Sequence, residues 1–203
     1  MYGLIRIVII AVLAVGFFAL ANILNFRFQK KEIYILFASL GILLLIIFII
    51  PIENAFYTFE TPEKAYKHLS FENTEIEILV KGDNCDYVVG KTSNNDEYVT
   101  TVIPKTDSGW KVRNSFAVKE RNIELPHLNY CVITMIQYED DRFVEIIFLT
   151  PGPHEVTSSD DGIFEKQSFS LEDEGELYKY YTHISDVENY KLFIDGIKID
   201  VLN

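Results

Sequence analysis

Histidines, cysteines and clustered carboxylates are the residues of this 203-residue chain that could do chemistry. The histidines are His68, His127, His154 and His183, and no two stand at the short spacing of a metal-ligand pair. A zinc site would have to be assembled from separate loops, so no metal ligands are expected. Cys85 and Cys131 lack the C-x-x-C spacing of a redox or zinc motif. Two readings stay open for them: a disulfide, which an oxidising compartment permits, or buried free thiols. The chain has no G-x-S-x-G, no S-x-x-K and no recognisable Cys–His frame, and no glycine-rich loop precedes a helix. No catalytic residue is therefore assignable, and no cofactor is expected. Acidic clusters occur at Glu139-Asp140-Asp141, Asp160-Asp161 and Glu172-Asp173-Glu174. They offer calcium oxygen ligands but do not follow the alternating pattern of an EF-hand loop, so solvated turns are the expected reading. Carboxylates brought together from different loops for hydrolysis remain the enzymatic alternative, because their separation in space is not visible in a sequence.

Aromatic residues are frequent, with 15 Phe, 12 Tyr and one Trp. Tyr178, Tyr180 and Tyr181 stand together. In a β domain such residues fill the core or form cross-strand pairs, and otherwise they would offer an interaction edge to a protein partner.

What must position these residues divides into two parts. Residues 7–26 and 33–52 are uncharged apolar runs, each long enough as a helix to cross about 30 Å of hydrocarbon, and neither carries the polar stripe of a soluble core helix. They are expected to be two transmembrane helices forming a membrane anchor over 1–52. The loop between them carries Arg27, Lys30 and Lys31, and basic residues in short loops stay cytoplasmic. Both the N-terminus and everything after residue 52 are then expected outside, making this a multi-pass cell-membrane protein. The competing readings are signal-peptide cleavage at Ala19-Leu20-Ala21 and the inverted topology. Small residues Ala11, Ala14, Gly16, Ala19 and Ala21 would let a second chain approach the first helix, so a homo-oligomer through the anchor is allowed.

The remainder is strongly acidic. The chain has 18 basic and 30 acidic residues, of which the first 52 hold four and one, leaving 14 against 29, a net of −15. Such a surface repels nucleic acid and anionic lipid. Residues 53–60 read as a connector whose Phe56, Tyr57 and Phe59 suit a membrane interface or the edge of the domain. Thr61-Pro62-Glu63 starts a short helix: Thr caps it, Pro fits the first turn and Glu favours the positive dipole end. Strands follow over 75–78, 86–91, 98–103, 110–118, 130–138, 143–149, 163–169 and 177–184, separated by turn-rich clusters. Asp195-Gly196 between Tyr190–Ile194 and Ile197–Val201 predicts a hairpin closed by a type I′ turn. The expected fold is two transmembrane helices followed, over 61–203, by a mostly antiparallel β domain, a sandwich or open barrel, with one short helix.

The apolar anchor, the Thr61-Pro62-Glu63-Lys64-Ala65 start, the Gly109-Trp110-Lys111 strand and the closing Tyr190–Ile199 hairpin resemble the membrane-anchored extracytoplasmic proteins of low-GC Gram-positive bacteria. The resemblance implies an exported bacterial domain and brings no catalytic residues with it. The expected role is a membrane-tethered, non-enzymatic module that binds a protein or envelope component; a small extracytoplasmic hydrolase using loop carboxylates is the alternative.

Overall fold

The computed structural model describes residues 11–16, 19, 31–32, 35, 38–39, 41–42, 54, 56–69, 74–92, 98–112, 117–123, 130–160, 162–171, 175–185 and 188–201. The expected spans 7–26 and 33–52 fall mostly outside this set, as do Arg27 and Lys30. The residues described within the spans are helical. Among the described residues no helix is long and apolar enough to cross a membrane.

From Phe59 onward the fold is mostly antiparallel β. Among the described residues of this part, one helix, α1 (Pro62–Leu69), precedes twelve strands: β1 (Thr74–Lys81), β2 (Cys85–Thr92), β3 (Tyr98–Thr106), β4 (Gly109–Trp110), β5 (Val118–Ile123), β6 (Cys131–Tyr138), β7 (Asp141–Phe148), β8 (Val156–Ser158), β9 (Glu165–Leu171), β10 (Gly175–His183), β11 (Leu192–Ile194) and β12 (Ile197–Ile199). They form three sheets, ordered β1-β2-β3-β4, β5-β6-β7-β10-β9 and β12-β11-β8.

Thr61 caps α1 as its sequence predicts: its hydroxyl accepts from the Lys64 amide and its carbonyl from the Ala65 amide, both at 3.3 Å. Ala65 and Tyr66 are the buried face, packed with Val88, Ile103, Phe59 and Val112 on one side of the first sheet. Tyr66 lies directly over Gly90, where an added Cβ would sit 2.2 Å from its hydroxyl oxygen. The other side of the first sheet, with Ile78, Val80, Tyr87, Val89 and Val102, packs on Ile136, Phe143 and Tyr181 of the second. The far face of the second sheet, with Ile133, Val144, Ile146, Phe148 and Tyr180, is covered by Leu192, Ile194, Ile199 and Val201. The strands in the middle of this stack are apolar on both faces, which is why β2 and β7 do not read as clean alternations.

Two local expectations are corrected. Glu75 to Ile78 reads as a simple period of two, which would put Ile76 and Ile78 on one face. The β1–β2 register instead slips between them, Ile76 pairing with Gly90 and Ile78 with Val89. The extra residue sends Ile76 to the helix side and Ile78 to the inter-sheet side, as a bulge does. The strand expected over 110–118 is not continuous: β4 ends at Trp110 and β5 begins at Val118, with 113–116 outside the described residues. Within the expected connector, Asn54 and Phe59 are bonded to the domain. The Asn54 side chain donates to the Val112 carbonyl at 2.6 Å and accepts its amide at 2.9 Å, and Phe59 forms an antiparallel bridge with Trp110.

The C-terminal hairpin follows the sequence. Asp195 and Gly196 have φ of 50° and 78°, as a type I′ turn requires, and Ile199 and Val201 are buried. Ile197, beside the turn, is exposed.

Candidate functional site

Two His–Asp pairs are the strongest concentrations of chemistry among the described residues. The first centres on Asp141, the first residue of β7 and only 2% exposed. Its Oδ1 accepts the Asp83 amide at 3.1 Å and lies 3.0 Å from His183 Nε2. Its Oδ2 accepts the amides of Asn84 and Cys85 at 2.7 and 2.8 Å and the Cys85 thiol at 3.3 Å. An ionised carboxylate only accepts, so His183 must carry its proton on Nε2. Burial opposes the charge on Asp141, but the Asn84 and Asp83 amides, the thiol and His183 outweigh it and hold the carboxyl below the ordinary aspartate range.

Local sequence makes this possible. The turn after β1 runs Gly82-Asp83-Asn84 and wraps its amides around the carboxylate, with the Gly82 amide donating to the Cys85 carbonyl at 2.9 Å. A Cβ at Gly82 would lie 2.6 Å from that carbonyl oxygen, 2.9 Å from Asp141 Oδ2 and 2.9 Å from the Phe143 ring. His183 ends β10 opposite Phe143 of β7, and their rings lie 5.1 Å apart. Asp141 thus ties the first turn of the first sheet to two strands of the second.

Ligand atoms of Asp83, Asp141 and His183 all fall within 4.8 Å of one another, a spacing that would suit a metal ion. Asp141, however, already receives five donors, about the capacity of a carboxylate's lone pairs. A cation would have to displace the amides that shape the turn, so the arrangement is better suited to holding the two sheets together than to holding an ion.

The second pair is His154 with Asp195. His154 Nδ1 lies 2.9 Å from Asp195 Oδ2, and its Nε2 lies 3.5 Å from the Thr150 hydroxyl. Asp195 also accepts the Tyr130 hydroxyl at 3.2 Å and the Glu155 amide at 3.0 Å. The His154 ring stacks on Phe148 with centroids 4.0 Å apart and planes at 5°. The hydrogen bonds from His154 and the Glu155 amide lower the Asp195 pKa, and burial followed by the bond to Asp195 raises that of Tyr130. Carboxylate, imidazole and hydroxyl stand in the order of a hydrolytic triad. Such a triad also needs amide donors aimed at the developing oxyanion. The residue after Thr150 is Pro151, which has no N–H; Gly152 donates its own to the Glu176 carbonyl at 3.2 Å; Pro153 again has none. The loop therefore offers no free amide beside the hydroxyl over these three residues, and the pair fastens 150–155 to the last hairpin.

Sequence reasoning missed both pairs because their members are 42 and 41 residues apart. It also took Asp141 and Asp160 for solvated turn residues. Glu139 and Asp140 are exposed, but Asp141 already belongs to the strand and turns inward. Asp160 Oδ1 accepts from the Ser158 hydroxyl and the Gly162 amide, and its Oδ2 from the amide and hydroxyl of Ser185. Glu172, Asp173 and Glu174 lie outside the described residues, as does His127.

Of the two readings for the cysteines, the structure has buried free thiols. Cys85 lies against Asp141, which pairs with Tyr138 at one end of β6, and Cys131 lies at the other end. Seven residues of strand span about 24 Å, far beyond the roughly 6 Å between Cα atoms of a disulfide. Burial, and next the charge of Asp141, push the Cys85 thiol well up, so it stays protonated.

Tyr178, Tyr180 and Tyr181 are not on an edge. Their strand, β10, is paired on both sides, with β7 and with β9. Tyr180 and Tyr181 are buried on opposite faces of the second sheet, and Tyr178 hydrogen-bonds Glu176 at 2.6 Å under the Lys166 ammonium. The run of tyrosines is core and cross-strand packing. Beside Tyr181, Glu145 is pushed up in pKa by burial between the sheets, with Lys179 opposing.

No family model, no curated protein and no solved structure matches this chain.

Proposed function

We propose that the chain is a membrane-tethered, non-enzymatic module whose β domain lies outside the cytoplasm and binds a protein or envelope component. The observation that carries this reading is the pair of uncharged apolar runs, 7–26 and 33–52. Each matches the thickness of a bilayer. Arg27, Lys30 and Lys31 between them orient the anchor with its loop in the cytoplasm. The domain supports the non-enzymatic side of this reading in one respect: among the described residues its two His–Asp pairs and Asp160 are engaged in joining loops and sheets.

Two measurements test this. An impermeant maleimide should label Ser108→Cys on intact cells while the buried native thiols stay silent. Labelling only after lysis would reverse the topology. Crosslinking in the native membrane should capture a protein or envelope component, and capture of the chain alone would replace the partner by self-association through the anchor. The hydrolase reading is favoured only by the order Thr150–His154–Asp195. Turnover of an ester, amide or glycoside by the full-length protein that is lost in a folded Thr150→Val variant would establish it and overturn the non-enzymatic reading.

A further inference from the structure

We infer that the domain does not swing on a tether but rests in a fixed pose on the bilayer surface, with Phe56 and Tyr57 set into the lipid headgroup layer. This deepens the membrane-anchor reading and rests on it. The second apolar run ends at Ile52, and Asn54 is already clamped to Val112 through both ends of its side-chain amide. Glu53 is the only residue between. Two Cα steps reach at most about 7 Å, less than the roughly 8–10 Å over which salt screens charge.

Beyond Asn54 the chain stays bound. The Thr58 hydroxyl donates to the Ser108 carbonyl, and Phe59 exchanges both backbone hydrogen bonds with Trp110, at 2.8 and 2.9 Å. A segment fastened at 54, 58 and 59 holds Phe56 and Tyr57 close to the domain. Both are large aromatics, 91% and 58% exposed. An isolated exposed Phe needs no explanation on a soluble surface. Two adjacent ones, four and five residues past a hydrophobic span, are where interfacial aromatics concentrate at the headgroup level. Tyr57 packs edge-on against the buried Phe59, ring centroids 4.8 Å apart, so it is set in place from below.

The domain's net charge of −15 would hold a freely tethered domain away from anionic lipid. A span of one residue leaves the domain no length over which to retreat from that repulsion. The domain stays at the surface, and a partner must reach it within one domain's height of the bilayer.

The test uses full-length protein in phosphatidylcholine vesicles. Phe56→Cys, Tyr57→Cys and, as a distant control, Lys198→Cys carry an environment-sensitive fluorophore. Lys198 is exposed on β12, in the small sheet that covers the opposite end of the stack. Labels at 56 and 57 should be blue-shifted and quenched several-fold more by headgroup-labelled lipid than the label at 198. Protein that floats with the vesicles while the labels at 56 and 57 stay in water would overturn this inference and leave the anchor standing. Protein that carbonate strips from the vesicles would overturn the anchor and this inference with it.

Discussion

Replacing Asp141 by Asn tests whether one buried carboxylate joins the two larger sheets. The substitution is nearly isosteric but removes the charge and turns one acceptor oxygen into an NH₂ donor. At least two of the five donors now aimed at Asp141 then face another donor: either His183 Nε2 and the Asp83 amide, or the amides of Asn84 and Cys85. Hydrogen bonds to a charged acceptor contribute about 1.5–3 kcal/mol each, and an orphaned buried donor costs about 1–3 kcal/mol. The losses share one network and do not add, so the expected cost is about 3–5 kcal/mol, as for a broken buried charge network. For a domain near 150 residues that is a fall in Tm of roughly 10–15 °C. The single tryptophan, Trp110, reports it: its Nε1 donates to the buried Asp86 at 2.7 Å, so its fluorescence changes on unfolding. Asp140→Asn makes the same charge change at an exposed neighbour and should stay within about 0.5 kcal/mol of wild type. The pH dependence supplies a second reading. The folded pKa of Asp141 lies below its unfolded value, so the stability it contributes is complete above the unfolded pKa near 4. It is lost as pH falls through the lowered folded value. Wild type should therefore lose stability in acid more steeply than Asp141→Asn, which keeps the acid-labile contributions of Asp160 and Asp195. A variant as stable as Asp140→Asn, with an unchanged acid limb, would refute the account.

Three further outcomes are expected. Gly82→Ala forces a Cβ against Asp141, Phe143 and the Cys85 carbonyl and should destabilise by about 1–3 kcal/mol in denaturant titration, whereas Gly152→Ala, where nothing lies nearby but φ is +120°, should cost only backbone strain of about 1 kcal/mol. Non-reducing mass spectrometry should find two free thiols, and a thiol reagent should react with both only after unfolding; a Cys85–Cys131 bond would contradict the strand geometry. Asn54→Ala should cost about 1–3 kcal/mol through the unpaired Val112 groups, by thermal melting followed at Trp110, and a neutral result would show that the start of the domain is not clamped.

Local patterns were legible because their causes lie within a few residues. Asp195-Gly196 supplies the two positive φ angles of its turn from its own chemistry, and Thr61-Pro62-Glu63 starts α1 through capping that depends only on neighbours. The mostly antiparallel β character followed from runs of β-branched and aromatic residues between turn signals. The two apolar runs and the basic loop between them are likewise properties of the sequence alone, as is the acidity of everything beyond. What folding decided is everything that depends on separation in space. Asp141 reads as the third residue of an acidic turn until the Gly82 turn, 59 residues earlier, arrives to donate its amides. Tyr180 and Tyr181 stay a choice between core and interaction edge until β7 and β9 pair on either side of their strand. Cys85 and Cys131 stay an open choice until the length of β6 lies between them. Short-range propensity fixes how a segment curls or extends, whereas pairing order and burial come from contacts between segments that only the closed fold brings within hydrogen-bond reach.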